Sequence, residues 1–394
     1  MKVRSVTVGA DLGTGPDPAR LDAAPEFLGA VRGRLARAGY EVQTTRLALP
    51  PYTQSPQRLV DFGRRLEELA ANLGFDYVSV GPVAVGEGGA QAIADLLATT
   101  GRVFAAVEVA RNGTVDLAAV RVAAWVVKAV AARTEAGFGN LRFAALANCP
   151  PGIPFLPAAY HDGGPPAVSV ALEAADLAVE AFEDSRPLEA RLAAWEGALR
   201  QAAARVGRRI RPLAARLGWR YLGVDLTPAP FPETPASIGE ALERLGGGET
   251  GGPGTLFLSA AVAARLRRLR IRKAGFSGLM LPILEDNVLA RRFAEGKLPL
   301  AAVLACSAVC GTGLDVVPLP EDVSEAEIAA ILLDVAALSV VLRKPLTARL
   351  MPIPGLKPGG QVRFDFPYFA DARLPDLPRP APHRPVFGGE RFKV

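Results

Sequence analysis

The chain has 394 residues, half of them hydrophobic and 22% charged, with a net charge of +5 and three cysteines. This is a globular composition, sufficient for one large core or two ordinary ones. Acids interspersed among the bases argue against a nucleic-acid partner, and so few cysteines exclude a disulfide framework. The longest apolar runs, 120–132 and 328–342, contain Lys128 and Asp334 and are too short to cross a bilayer, so no membrane partner is expected.

Residues 3–8 alternate as a strand, without the apolar core of a signal peptide, so a reducing, cytoplasmic location is expected. A helical period follows over 19–38, then a strand over 40–49, a helix over 56–73, a strand over 75–80 and a helix over 89–99. The rhythm continues with a strand over 102–110, a helix over 115–133 and a strand over 141–147, which predicts an α/β fold. Two helices are expected over 171–182 and 188–217, covering the outside of the sheet, before a strand at 220–226. After the flexible glycines of 246–254, Ser324 and Glu327 have the spacing of a capping box. The helix they open is apolar nearly all round to Leu342, so it is expected to be buried on two sides, and Pro345 blocks its continuation. Late strands are expected over 346–351 and 361–366. Residues 1–374 then form one domain, and 375–394 a Pro-rich tail.

In such folds chemistry sits in the loops that follow strands. The loop 148–162 holds four prolines, Cys149 and His161, one of only two histidines in the chain. Imidazole can draw the proton from a thiol, so the two are candidates for a nucleophile and its base; equally, Cys149 is a buried thiol and His161 bonds its own loop. Asp225, at the end of a strand, is either a base or a turn cap. Ser277 lies between Gly275 and Gly278, ahead of Glu285 and Asp286, an acidic pair that suits the first turn of a helix. Cys306 and Cys310 precede Gly311, Thr312, Gly313 and Asp315 in a glycine-containing turn. Their i, i+4 spacing matches neither a redox dithiol nor a zinc knuckle, and two packed thiols fit it as well as a reactive Cys310 does. Gly311 and Gly313 let backbone approach an anion, as do the amides around Glu87 in the loop 81–89. The glycines at 246–251 match a dinucleotide pattern literally, but they follow a helix and carry Glu249, so no cofactor is expected.

Five segments occur in matching order. They are 7–12, 148–161, Gly223 to Pro230, Gly275 to Met280, and Cys310 to Asp315. On them the chain resembles, over nearly its whole length, the uncharacterised family numbered 711 among the domains of unknown function, also called uncharacterised protein family 0210. The resemblance implies a barrel of about ten strands built from two parallel half-sheets with helices outside, similar to the pyruvate formate-lyase-like barrel of glycyl radical enzymes. There the segment with Cys306 and Cys310 would match the thiyl loop. The radical source departs from that pattern, because 384–390 places Pro385 inside the motif around Gly388 and has no tyrosine.

The expectation is a non-radical enzyme acting on a small anionic metabolite inside the barrel. Cys310 or Cys149 would supply a thiol, His161 acid-base chemistry, Asp225 and Asp315 a base, and Arg349 a counter-charge; Ser277, Gly311, Gly313 and Glu87 would contribute to ligand binding. The alternatives are a non-catalytic metabolite sensor or scaffold acting through an oligomer or partner, and a radical enzyme. No ligand spacing specifies a metal.

Overall fold

The computed structural model describes residues 1–394 apart from 16, 87, 184, 376–390 and 394. Strands β1 (Lys2–Gly9), β2 (Val42–Ala48), β3 (Tyr77–Pro82), β4 (Val103–Arg111), β5 (Thr114–Asp116) and β6 (Phe143–Ala147) occupy the first part of the chain. Among them lie helices α1 (Ala24–Ala36), α2 (Leu59–Asn72), α3 (Gly89–Thr99) and α4 (Leu117–Arg133). There follow β7 (Ala167–Glu173), α5 (Ala175–Ala181), the long α6 (Leu188–Arg216) and β8 (Arg220–Ala229). Helices α7 (Ile238–Gly246), α8 (Thr255–Arg268), α9 (Asn287–Ala294) and α10 (Leu300–Val309) lead to β9 (Gly313–Pro320), α11 (Glu325–Leu342) and β10 (Leu346–Ile353). Short strands β11 (Gln361–Val362), β12 (Ala372–Arg373) and β13 (Arg391–Lys393) complete the chain.

The main sheet has the order β8-β7-β1-β2-β3-β4-β6-β10-β9, with β5 and β13 added beside β4. Strands β1, β2, β3, β4 and β6 run parallel, as the β/α rhythm predicts. At each end a parallel pair, β7 with β8 and β10 with β9, joins antiparallel to this run. The outermost strands are β8 and β9. The segment 272–283 hydrogen-bonds to both: Val224 N donates to Arg272 O (3.1 Å) and Ala274 N to Val224 O (3.1 Å), while Ile283 N donates to Asp315 O (3.0 Å).

The helices pack on one face of the sheet. In α2 the buried Leu59, Phe62, Gly63, Leu66 and Ala70 fall on one stripe, as a sheet-facing helix requires. The opposite face is filled by the loop after β6, whose Cys149, Ile153 and Phe155 pack on Ala106, Ala144 and Leu146. Ser5 Oγ (3.0 Å) and Thr7 Oγ1 (3.2 Å) both donate to Pro154 O, which ties this loop to β1.

Four expectations are corrected. The helix expected over 171–182 begins as strand β7 and turns helical only at Ala175, because β7 is held between β1 and β8 and pairing outweighs the helix propensity of its alanines. The late strand over 361–366 shrinks to the two residues of β11. The cysteine-bearing turn is largely helical: Cys306 lies within α10 and Cys310 is its C-cap. Helix α11 buries one face only, with Ala330, Asp334 and Val341 exposed on the other. Its capping box forms as predicted, Ser324 Oγ accepting from Glu327 N. Of the tail, the described part includes β13, which pairs with β5.

Candidate functional site

Parallel strands buried on both faces ordinarily carry apolar residues. Here β1 carries Arg4, β2 Arg46 and β10 Arg349 on the face away from the helices, and these three cations meet two buried carboxylates. Arg349 donates from Nε to Asp315 Oδ1 (2.6 Å), from Nη2 to Glu285 Oε1 (2.9 Å) and from Nη1 to Leu141 O (3.3 Å). Arg4 Nη2 pairs with the other oxygen of Glu285, and its Nη1 donates to Pro230 O (3.2 Å) and lies 3.7 Å from Glu173 Oε2. Glu285 is thus shared by two guanidiniums. Burial would push its carboxyl up, yet Arg4 and Arg349 together hold it below the usual range. Asp315 moves the other way: burial raises it, the charge of Glu285 adds to the rise, and Arg349 only partly offsets them. Two neighbouring carboxyls with opposed shifts are an arrangement in which one stays ionised while the other exchanges a proton.

Arg46 differs from the other two. Its Nε donates to Thr44 Oγ1 (3.0 Å) and its Nη1 to Pro154 O (3.2 Å), both neutral acceptors, and no carboxylate among the described residues lies in ion-pair range. Burial, with the nearby charge of Arg4, brings its pKa down to about 10. A desolvated cation without an anion is costly to maintain, and an arriving anion relieves that cost. The guanidinium lines a partly open cavity of about 80 Å³, together with Arg4, Tyr77, Glu285, Asp315 and Arg349. Phe155, Phe276 and Met280 supply apolar wall, and Phe366 and Tyr368 reach it from the segment between β11 and β12. The Tyr368 ring stacks on Arg4, 5.8 Å from Cζ, a cation–π contact that ties this aromatic cover to the charged cluster.

Of the residues singled out from sequence, Asp315 and Arg349 meet in this wall. Cys149 and His161 have separate partners. The Cys149 thiol donates to Leu346 O (3.3 Å) and burial raises its pKa, whereas His161 Nε2 donates to Gly164 O (2.8 Å), beside an Asp162 held by Arg220. Asp225 is buried and pushed up to about 6 by desolvation, although it accepts from Thr227 N, Thr227 Oγ1, Phe276 N and Ser277 N at 2.6–2.9 Å. It does not line the cavity; it clamps the turn at 275–278 to β8, and Ser277 Oγ accepts from Leu226 N in the same clamp.

Gly311 packs backbone to backbone against Gly278, where a Cβ would come within 2.4 Å of the Gly278 Cα. Gly313 has φ +96° and leaves no room for a Cβ beside Thr347 O. Both glycines therefore serve close packing here. Cys310 is buried at the end of α10, where Lys344 Nζ donates to Ser307 O (2.8 Å) and to the carbonyl of Cys310. Glu87 and Gly388 lie outside the described residues. Among the described residues no group of three or more His, Cys, Asp or Glu is placed to hold a metal ion, and no helix is long and apolar enough to cross a membrane.

No motif marks Arg4 or Arg46, and on sequence alone Glu285 fits a helix-dipole acid. The available signal was an arginine standing within an otherwise apolar strand, as in Val3-Arg4-Ser5-Val6 and Thr45-Arg46-Leu47-Ala48.

The chain is similar over residues 1–366 to the family model described as Uncharacterised ACR (DUF711). A UPF0210 protein of Pyrobaculum arsenaticum is 35% identical to it, over 82% of this chain and 76% of the relative. UPF0210 proteins of Methanopyrus kandleri and Desulforudis audaxviator are 31% and 30% identical, each over 92% of this chain and 88% of the relative. With a match of that extent, the chain belongs to the DUF711 family.

Proposed function

We propose that this protein is a non-radical enzyme that binds a small anionic metabolite, a carboxylate or phosphate, in the cavity between Arg4, Arg46 and Arg349. The observation that carries this reading is Arg46, a buried guanidinium facing a cavity with only neutral acceptors of its own. A cavity of about 80 Å³ is roughly half the 150 Å³ that admits benzene, so the ligand is compact and has only a few non-hydrogen atoms. Arg46 anchors the anion, Arg349 and Glu285 fix Asp315, and Asp315, whose carboxyl favours its proton, serves as the general acid and base. In this proposal the segment 272–283, bonded to β8 and β9, closes the sheet into a barrel of the pyruvate formate-lyase-like kind, and the protein works in the cytoplasm. The radical variant has less in its favour, since neither Cys306 nor Cys310 lines the cavity.

The test is calorimetric titration with a panel of small mono- and dicarboxylates and phosphate esters, followed by turnover assays on each binder. At least one anion should bind one to one, and Arg46→Gln should weaken it by about tenfold or more, since charge-assisted hydrogen bonds contribute about 1.5–3 kcal/mol. Absence of any anion binding, or equal affinity in Arg46→Gln, would overturn the site. Binding without turnover would favour a metabolite sensor.

A further inference from the structure

Two polar atoms in the wall of the Arg46 cavity have no hydrogen-bond partner among the described residues: Oγ1 of Thr312 and Oε1 of Gln43. Buried polar atoms in native proteins are almost always bonded, and leaving one unmet costs stability. Here two of them share a cavity with a guanidinium that is bonded only to neutral acceptors, so three wall groups have bonds left for a ligand to make.

Both atoms are held in place. Thr312 is 2% exposed at the entry to β9, where Gly311 N donates to Leu279 O (2.7 Å) and Thr312 O accepts from Thr347 N (2.8 Å) and Thr347 Oγ1 (2.9 Å). Close packing of Gly311 on Gly278, and of Gly313 on Thr347, fixes the backbone that carries this hydroxyl. Gln43, on β2 with Arg46, donates from Nε2 to Glu173 Oε2, which leaves Oε1 as the end without a partner.

The hydrogen-bonding roles narrow the ligand. Gln43 Oε1 only accepts, so a ligand that satisfies it brings an O–H or N–H, whereas Thr312 Oγ1 both donates and accepts. Arg4, Arg46 and Arg349 line the cavity against one carboxylate held in its ionised form, Glu285, while Asp315 favours its proton. Even with Glu173 behind Gln43 counted as ionised, positive charge remains in excess. An ammonium is repelled in that field and a neutral hydroxyl is not. A carboxylate, smaller than a phosphate, leaves room within about 80 Å³ for a hydroxylated carbon.

On the reading that Arg46 anchors an anion, we propose that the ligand of this cavity is a compact hydroxycarboxylate, its carboxylate on Arg46 and its hydroxyl groups bonded to Thr312 Oγ1 and Gln43 Oε1. Thr312 and Gln43 thereby determine specificity, discriminating against acids of the same size that lack a hydroxyl.

The test is calorimetric titration of the full chain with propionate, pyruvate, alanine, lactate and glycerate, which share a three-carbon skeleton and a carboxylate. Lactate or glycerate should bind about tenfold more tightly than each of the other three, the factor expected when a buried hydrogen bond is left unmade. Thr312→Val and Gln43→Met should each cut that ratio to about threefold or less, Thr312→Ser should retain it, and Arg46→Gln should weaken every acid without erasing it. Without ligand, Thr312→Val should unfold in urea no more readily than the wild type, because the hydroxyl it removes has no protein partner. Hydroxy acids that bind no better than the other three, a ratio that survives both variants, or a Thr312→Val that is destabilised would each overturn the hydroxyl specificity and leave the anion site standing. So would binding of some other anion but none of these five. If no anion binds at all, the site and its specificity fall together.

Discussion

At the scale of single residues, three arginines of the same strand face have different energetic roles. Arg4 and Arg349 are bound into Glu285 and Asp315, and removing one partner of such a pair leaves the other charge buried. Arg46 has no such obligation. Arg4→Gln should therefore destabilise the fold by about 3–5 kcal/mol, whereas Arg46→Gln should leave stability unchanged or raise it by about 1 kcal/mol, as a desolvated charge is removed. Urea denaturation of the two variants decides this, and a large loss in Arg46→Gln would place that residue in the structural network. The contrast also explains what sequence could supply. Arg349, a cation inside the strand expected over 346–351, is legible as a counter-charge, while Glu285 and Asp286 look alike as neighbouring acids. Asp286 does cap α9, accepting from Val288 N and Leu289 N (both 3.0 Å); Glu285, one residue earlier, points to Arg4 and Arg349. One step along the backbone separates a helix cap from a cavity wall, and no local pattern encodes that division.

At the scale of elements, rhythm and caps were legible and pairing was not. The parallel run from β1 to β6 follows from alternating apolar periods, and the capping box of α11 follows from two residues. Strand β7 was not legible, since its alanines suit a helix and only its neighbours β1 and β8 make it a strand. The clamp between β8 and the turn at 275–278 is a further element-level device, and it has a pH signature. Asp225 titrates near 6 in the folded chain, above its unfolded value of about 3.9, so the folded state holds the proton more tightly. Its contribution to stability is fully present below pH 4 and is lost as pH rises through 6. Relative to Asp225→Asn, which does not titrate, the wild type should lose about 2–3 kcal/mol between pH 4 and pH 7, because two pKa units correspond to about 2.7 kcal/mol. Denaturation at both pH values measures that difference. A gap independent of pH would mean that Asp225 stays ionised throughout, its four donors outweighing desolvation.

At the scale of the whole molecule, the distribution of thiols and charges separates two chemistries. A nucleophilic cysteine is partly exposed and held as thiolate by a neighbouring cation or base. All three cysteines here are buried and free, and Cys149, hydrogen-bonded to a carbonyl, is shifted away from the thiolate. None of the three lines the cavity that holds the buried charges. Alkylation by iodoacetamide at neutral pH should therefore be slow for the native protein and should reach three thiols per chain only after denaturation. An anion that binds in the cavity should slow that modification only as far as it stabilises the fold, since it touches no sulfur. One cysteine that reacts within minutes in the native state, and is protected by the bound anion before global stability changes, would return the chemistry to sulfur and remove Asp315 from the role of acid and base.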